Sequence, residues 1–143
     1  MTMLILFITI PADKTEAQVT GGIRAGIYAD QGDPLIGGEL LFPVSDRVYI
    51  NPNIEYVFVD VGNMLTFNAD AHYDFPVESV YLWAGGGLGI QYFSFGGFSN
   101  TDAVLDIISG VGLKNAGSVI PYAQLKLALG NGSDVEFALG IRF

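Results

Sequence analysis

The chain holds one histidine, set in the pattern Asp70-x-His72-x-Asp74. In an extended strand these three side chains share a face. A carboxylate beside an imidazole orients the ring, as a general base requires. A metal site could draw on the same three groups. Residues two apart on a strand, however, lie about 7 Å from one another, so a single ion would strain to meet them all. The run Gly85-Gly86-Gly87-x-Gly89 suggests a phosphate loop but lacks the following helix and the lysine of that motif. No catalytic, cofactor-binding or metal-ligating set is therefore assigned. His72 is read as one member of a hydrogen-bonded polar network.

The elements that position these residues follow from composition. The 143 residues suit one domain. Half are hydrophobic and 15% are charged, there are 19 glycines and no cysteine, and the net charge is -9. Thiolate metal sites and disulfides are excluded. An acidic chain with six scattered Lys and Arg is a poor partner for nucleic acid. Mean hydropathy is positive, yet no apolar run reaches the roughly 20 residues of a spanning helix. Strands whose apolar face meets lipid reconcile these facts.

At the N-terminus, Leu4 to Ile10 form a short apolar run that Pro11 ends. Thr15-Glu16-Ala17 then places small residues where a signal peptidase reads them. Residues 1–17 are read as a signal peptide or tail, and 18–143 as a single barrel domain beginning at Gln18.

Beyond Gln18, period-two alternation dominates. Turn signals recur at Asp30 to Pro34, Pro43 to Asp46, Asp60 to Asn63, Phe75 to Glu78, Gly96 to Asn100, Asn115 to Gly117 and Gly130 to Ser133. They predict eight strands near 19–29, 35–43, 47–60, 64–75, 80–94, 102–114, 118–129 and 134–143.

The last strand sets Val135, Phe137, Leu139, Ile141 and Phe143 against Asp134, Glu136, Ala138, Gly140 and Arg142. The fourth sets Leu65, Phe67, Ala69 and Ala71 against Thr66, Asn68, Asp70 and His72. Three features point the apolar face outward. Glycines crowd the polar face, as a narrow barrel interior requires. Lysine, which guards soluble sheets, is nearly missing from it. Aromatics Phe42, Tyr56, Phe58, Tyr73, Phe75, Tyr92 and Phe143 sit at strand ends on the apolar face, where interfacial girdles belong. Pro52 and Pro121 fall inside strands and each removes a ladder hydrogen bond.

The polar face then lines a lumen containing Arg24, Glu39, Glu55, Asp70, His72, Asp106, Lys126, Glu136 and Arg142. Turn centres predict two ladders, Asp106–Lys126–Glu136 and Arg24–Glu39–Asn51. These are either buried pairs, each costing about 3–5 kcal/mol when broken from one side, or solvated charges worth about 1 kcal/mol or less. Both readings fill the lumen with side chains and disfavour a wide, porin-like pore.

The terminal run Val135-x-Phe137-x-Leu139-x-Ile141-x-Phe143 resembles the C-terminal signature of bacterial outer-membrane proteins. Tyr81 to Gly89 resembles the glycine-rich fifth strand of OmpA-type and OmpX-type barrels. The resemblance covers Gln18 to Phe143, although every loop is short where the family often carries long ones. It implies an all-β fold, an eight-stranded antiparallel up-and-down transmembrane β-barrel. It also implies export through the periplasm to a Gram-negative outer membrane, and assembly by the barrel-assembly machinery through the C-terminal strand. The expected partners are the lipid bilayer and lipopolysaccharide, and the expected role is structural or interactive. His72-Tyr73-Asp74 is similar to the His-Tyr-Ser of the lipid A deacylases but lacks the serine. The alternatives are a soluble lipocalin-like barrel with the apolar face inward, an outer-membrane lipid-modifying enzyme using His72, and a minimal channel.

Overall fold

The computed structural model describes residues 19–30, 32–114, 117–130 and 132–143. The expected signal segment 1–17 and mature start at Gln18 lie outside the described residues, as do the turn positions Gln31, Asn115, Ala116 and Asn131.

Eight strands form in order: β1 (Thr20–Tyr28), β2 (Asp33–Pro43), β3 (Val48–Val57), β4 (Asn63–Phe75), β5 (Val80–Phe95), β6 (Phe98–Leu113), β7 (Ile120–Leu129) and β8 (Ser133–Arg142). Each pairs antiparallel with the next, and β8 closes on β1. No strand edge is left open along the ring, which is how a sheet satisfies its backbone in lipid.

The two faces separate as the alternation requires. Ile23, Ile54, Phe67, Leu88, Leu105, Leu125, Phe137 and Leu139 are exposed on the exterior. Glu55, Glu136, Asp106, Asp70, Lys126 and His72 are buried inside. A lipocalin-like barrel needs the opposite arrangement, so that alternative is overturned. The aromatic pairs Tyr56–Phe58 and Tyr73–Phe75, with ring centroids 4.9 and 5.2 Å apart, sit on the exterior at opposite ends of the barrel.

β6 begins at Phe98 rather than near 102. Gly96 and Gly97 have φ of 51° and 83°, the paired positive angles of a two-residue type I′ hairpin. Phe95 pairs with Phe98, and pairing continues through Asn100 and Thr101. Ser99 to Asp102 are polar because this stretch stands past the end of β7, whose pairing with β6 starts at Leu105–Leu129. In the sequence that polarity resembles a loop.

Pro52 interrupts the β2–β3 ladder between Glu39–Asn53 and Phe42–Ile50. The side-chain amide of Asn51 donates to the carbonyl of Leu40 at 2.7 Å, replacing the N–H that proline lacks. Pro121 stands second in β7, one residue beyond the last β6–β7 pair at Gly112–Tyr122, so the ladder there is already ending.

Candidate functional site

Turn lengths set the register, and three of the four expected pairings shift by two residues. Glu39 stands opposite Gly22 and Asn53, and Arg24 opposite Gly37. Asp106 stands opposite Ala128, and Lys126 opposite Ile108. Lys126–Glu136 is a direct pair. A shift of two preserves the face and changes only the neighbour.

All nine expected lumenal residues point inward and are buried. Six of them join in one alternating chain. Arg142 Nε lies 2.8 Å from Glu39 Oε2. Glu39 Oε1 lies 3.3 Å from Arg24 Nη1. Arg24 Nη2 lies 2.8 Å from Glu55 Oε2. Glu55 Oε1 lies 3.2 Å from Lys126 Nζ, which lies 3.2 Å from Glu136 Oε2. Glu55 of β3 and Lys126 of β7 belong to distant strands of the ring, so the chain crosses the lumen rather than following its wall. The expected ladders considered only wall neighbours, and for that reason they gave Lys126 to Asp106 instead of Glu55.

Neutral groups complete the shell. Arg24 Nη2 donates to Asn53 Oδ1 at 2.7 Å, Thr66 Oγ1 to Glu55 at 3.1 Å, and Asn51 Nδ2 to Glu39 at 3.1 Å. Asn53 Nδ2 donates to Asp70 Oδ2 at 2.9 Å, and Asn68 Nδ2 to Asn53 Oδ1 at 2.9 Å. Charges withdrawn from water need such bonds on their remaining atoms. Asn53, Thr66 and Asn68 were legible as inward-facing by alternation, but nothing in the sequence marked them as partners.

Inward glycines make these reaches possible. Gly22 stands between Arg142 and Glu39, Gly37 between Arg24 and Glu55, and Gly110 between Trp83 and Gln124. In each case the flanking side chains meet over the glycine, Trp83 Nε1 donating to Gln124 Oε1 at 3.1 Å. A Cβ at Gly110 would collide with the Trp83 indole. A side chain at any of these positions would fill the space the bridge occupies.

The two ends of the lumen differ. Toward the end bearing the described termini, Tyr49, His72 and Trp83 stack at centroid spacings of 5.4 and 5.5 Å. The Arg142 guanidinium lies 4.5 Å from the rings of both Trp83 and Tyr122, a cation–π sandwich. His72 Nε2 lies 3.3 Å from Asp74 Oδ1. Tyr73 points outward, so the residue pair next to His72 divides between the two faces. At the opposite end, Tyr28, Leu35 and Val57 form an apolar cluster with Val59 and Met64. Trp83 shares strand parity with Gly85 and Gly87, but one large ring among glycines gave no warning of the stack.

A closed eight-stranded barrel with an apolar exterior and a charge-filled interior defines a transmembrane-type β-barrel. Its architecture is that of small outer-membrane barrels. The N-terminal β-barrel domain of Pseudomonas aeruginosa OprF superposes with a TM-score of 0.76 at 20% identity, over 90% of this chain and 98% of that one. Neisserial surface protein A gives 0.62 at 16%, over 87% and 94%. The outer membrane enzyme PagL gives 0.63 at 15%, over 87% and 98%. No protein-family model and no curated protein sequence matches the chain.

Proposed function

We propose that this chain is an integral protein of a bacterial outer membrane, exported through the periplasm, with a lumen closed by its own side chains and a structural or interaction role rather than a catalytic one. The observation that carries this reading is the chain from Arg142 to Glu136, which crosses the interior of a barrel whose exterior is apolar. The likeness to OprF and Neisserial surface protein A supports it. PagL is an enzyme on the same fold, so fold alone does not decide catalysis. The burial of His72 within an aromatic stack supports a non-catalytic reading.

With the termini periplasmic, the opposite rim carries Asp30, Asp33, Asp60, Asp102 and Asp134, and no Lys or Arg among the described residues. Divalent cations would couple such a rim to the phosphates of lipopolysaccharide. Val135, Phe137, Leu139, Ile141 and Phe143, all exposed on the exterior, would present the C-terminal strand to the barrel-assembly machinery.

The test is refolding with and without detergent, followed by planar-bilayer recording. The expected result is a heat-modifiable compact band only in detergent or lipid, and a silent bilayer. Folding in plain buffer would overturn the membrane reading, and discrete conductance would overturn the closed lumen.

A further inference from the structure

Three inward glycines share one arrangement, and a fourth departs from it. Over Gly22 and Gly37 the flanking strands bring a cation to a carboxylate, and over Gly110 a donor to an acceptor. Gly87 of β5 stands directly between Asp70 of β4 and Asp106 of β6. Here the two flanking groups are both carboxylates, and when both are ionised neither has a proton to donate to the other.

The departure is not repaired elsewhere. Asp106 is 1% exposed, as is Asp70. Neither oxygen of Asp106 has a hydrogen-bond partner, nor has Asp70 Oδ1. Asn53 holds Asp70 by its other oxygen at 2.9 Å, and this leaves Oδ1 turned over Gly87, where a Cβ would collide with it. The buried cations are already engaged: Arg142 by Glu39, Arg24 by Glu39 and Glu55, and Lys126 by Glu55 and Glu136. The buried residues therefore set three cations (Arg24, Lys126, Arg142) against five carboxylates (Glu39, Glu55, Asp70, Asp106, Glu136). The excess is two negative charges. Buried charge on this scale needs compensation.

We propose that the lumen binds one hard divalent cation over Gly87, held by Asp70 and Asp106. One such ion supplies the missing partner and cancels the excess. Among the described residues no three metal-ligating His, Cys, Asp or Glu side chains gather at one point. The ion is thus of the class that keeps most of its water and takes one or two carboxylates, as magnesium does, with calcium the looser alternative. Because Asp70 and Asp106 are each 1% exposed, the ion is captured as the barrel folds.

The test is to refold the full chain in detergent with Mg2+ or Ca2+, or with EDTA, desalt it, and measure bound metal and melting temperature. The expected result is about one ion per barrel and a higher melting temperature than the EDTA-refolded protein. D106N and D70N should lose the ion and the metal-dependent shift. A rim variant, D30N with D134N, should keep both, which separates this site from any rim-bound cation. Metal-free wild type that melts at the same temperature with or without Mg2+ and Ca2+ would overturn the proposal. So would D106N retaining the wild-type metal content, or wild type refolded with Mg2+ or Ca2+ carrying no ion, which would point to a proton shared by the two carboxyls. If an Asp variant fails to fold, the wild-type metal content and its loss in the isosteric partner variant still decide.

Discussion

Arg24 and Glu55 stand on strands that are not paired with each other, and they meet because Gly37 between them has no side chain. The bridge is 2.8 Å long and fully withdrawn from solvent. A Cβ on Gly37 would approach Ile54 O to 2.8 Å and Glu55 Cγ to 2.9 Å. Gly37→Ala should therefore destabilise the barrel by about 1–3 kcal/mol, an overpacking cost. Urea unfolding in lipid vesicles checks this, and a variant as stable as wild type would show that the bridge can form without the gap.

Glu55 accepts from both Arg24 and Lys126. Glu55→Ala leaves two buried cations each short of a partner, and should cost about 3–5 kcal/mol. Replacing Arg24, Glu55 and Lys126 together with apolar residues of similar volume should cost less than the single change, because no charge is then stranded. Equal losses in the two proteins would mean the lumen is wet enough to solvate the stranded ammonium and guanidinium.

The Asn51 amide that donates to Leu40 O makes Pro52 tolerable. Asn51→Ala should cost about 1–3 kcal/mol by leaving that carbonyl unpaired. Adding Pro52→Ala to that background restores a backbone N–H at the same place. It should recover part of the loss, whereas alone it should do little. The four unfolding curves form a double-mutant cycle, and additivity would remove the claimed substitution of one donor for the other.

Strand number, topology and face were legible because period-two alternation and glycine-rich turns act locally. Arg24, Glu39, Glu55 and Lys126 could be placed in the lumen from parity alone. Their partners could not, because moving the turn centre by one residue moves Glu39 from Arg24 to Gly22. The contact from Lys126 to Glu55 spans 71 residues, and no local pattern encodes it. The stack of Tyr49, His72 and Trp83 depends in the same way on closure of the ring.

The single tryptophan reports the orientation of the faces. Trp83 is 1% exposed and packs against Arg142 inside the lumen, while its neighbour Leu82 is 38% exposed on the exterior. In vesicles of brominated phospholipid, Trp83 emission should therefore be nearly unquenched, since bromines in the acyl region cannot reach the lumen. Aqueous iodide should quench it weakly as well, because so little of the ring is exposed. Moving the indole by one residue, in Leu82→Trp with Trp83→Phe, should expose it to the bromines and quench it strongly. One residue separates the two outcomes because side chains alternate across a strand. Strong bromine quenching of wild-type Trp83 would place the polar face toward lipid, and the lumenal charge chain would fall with it.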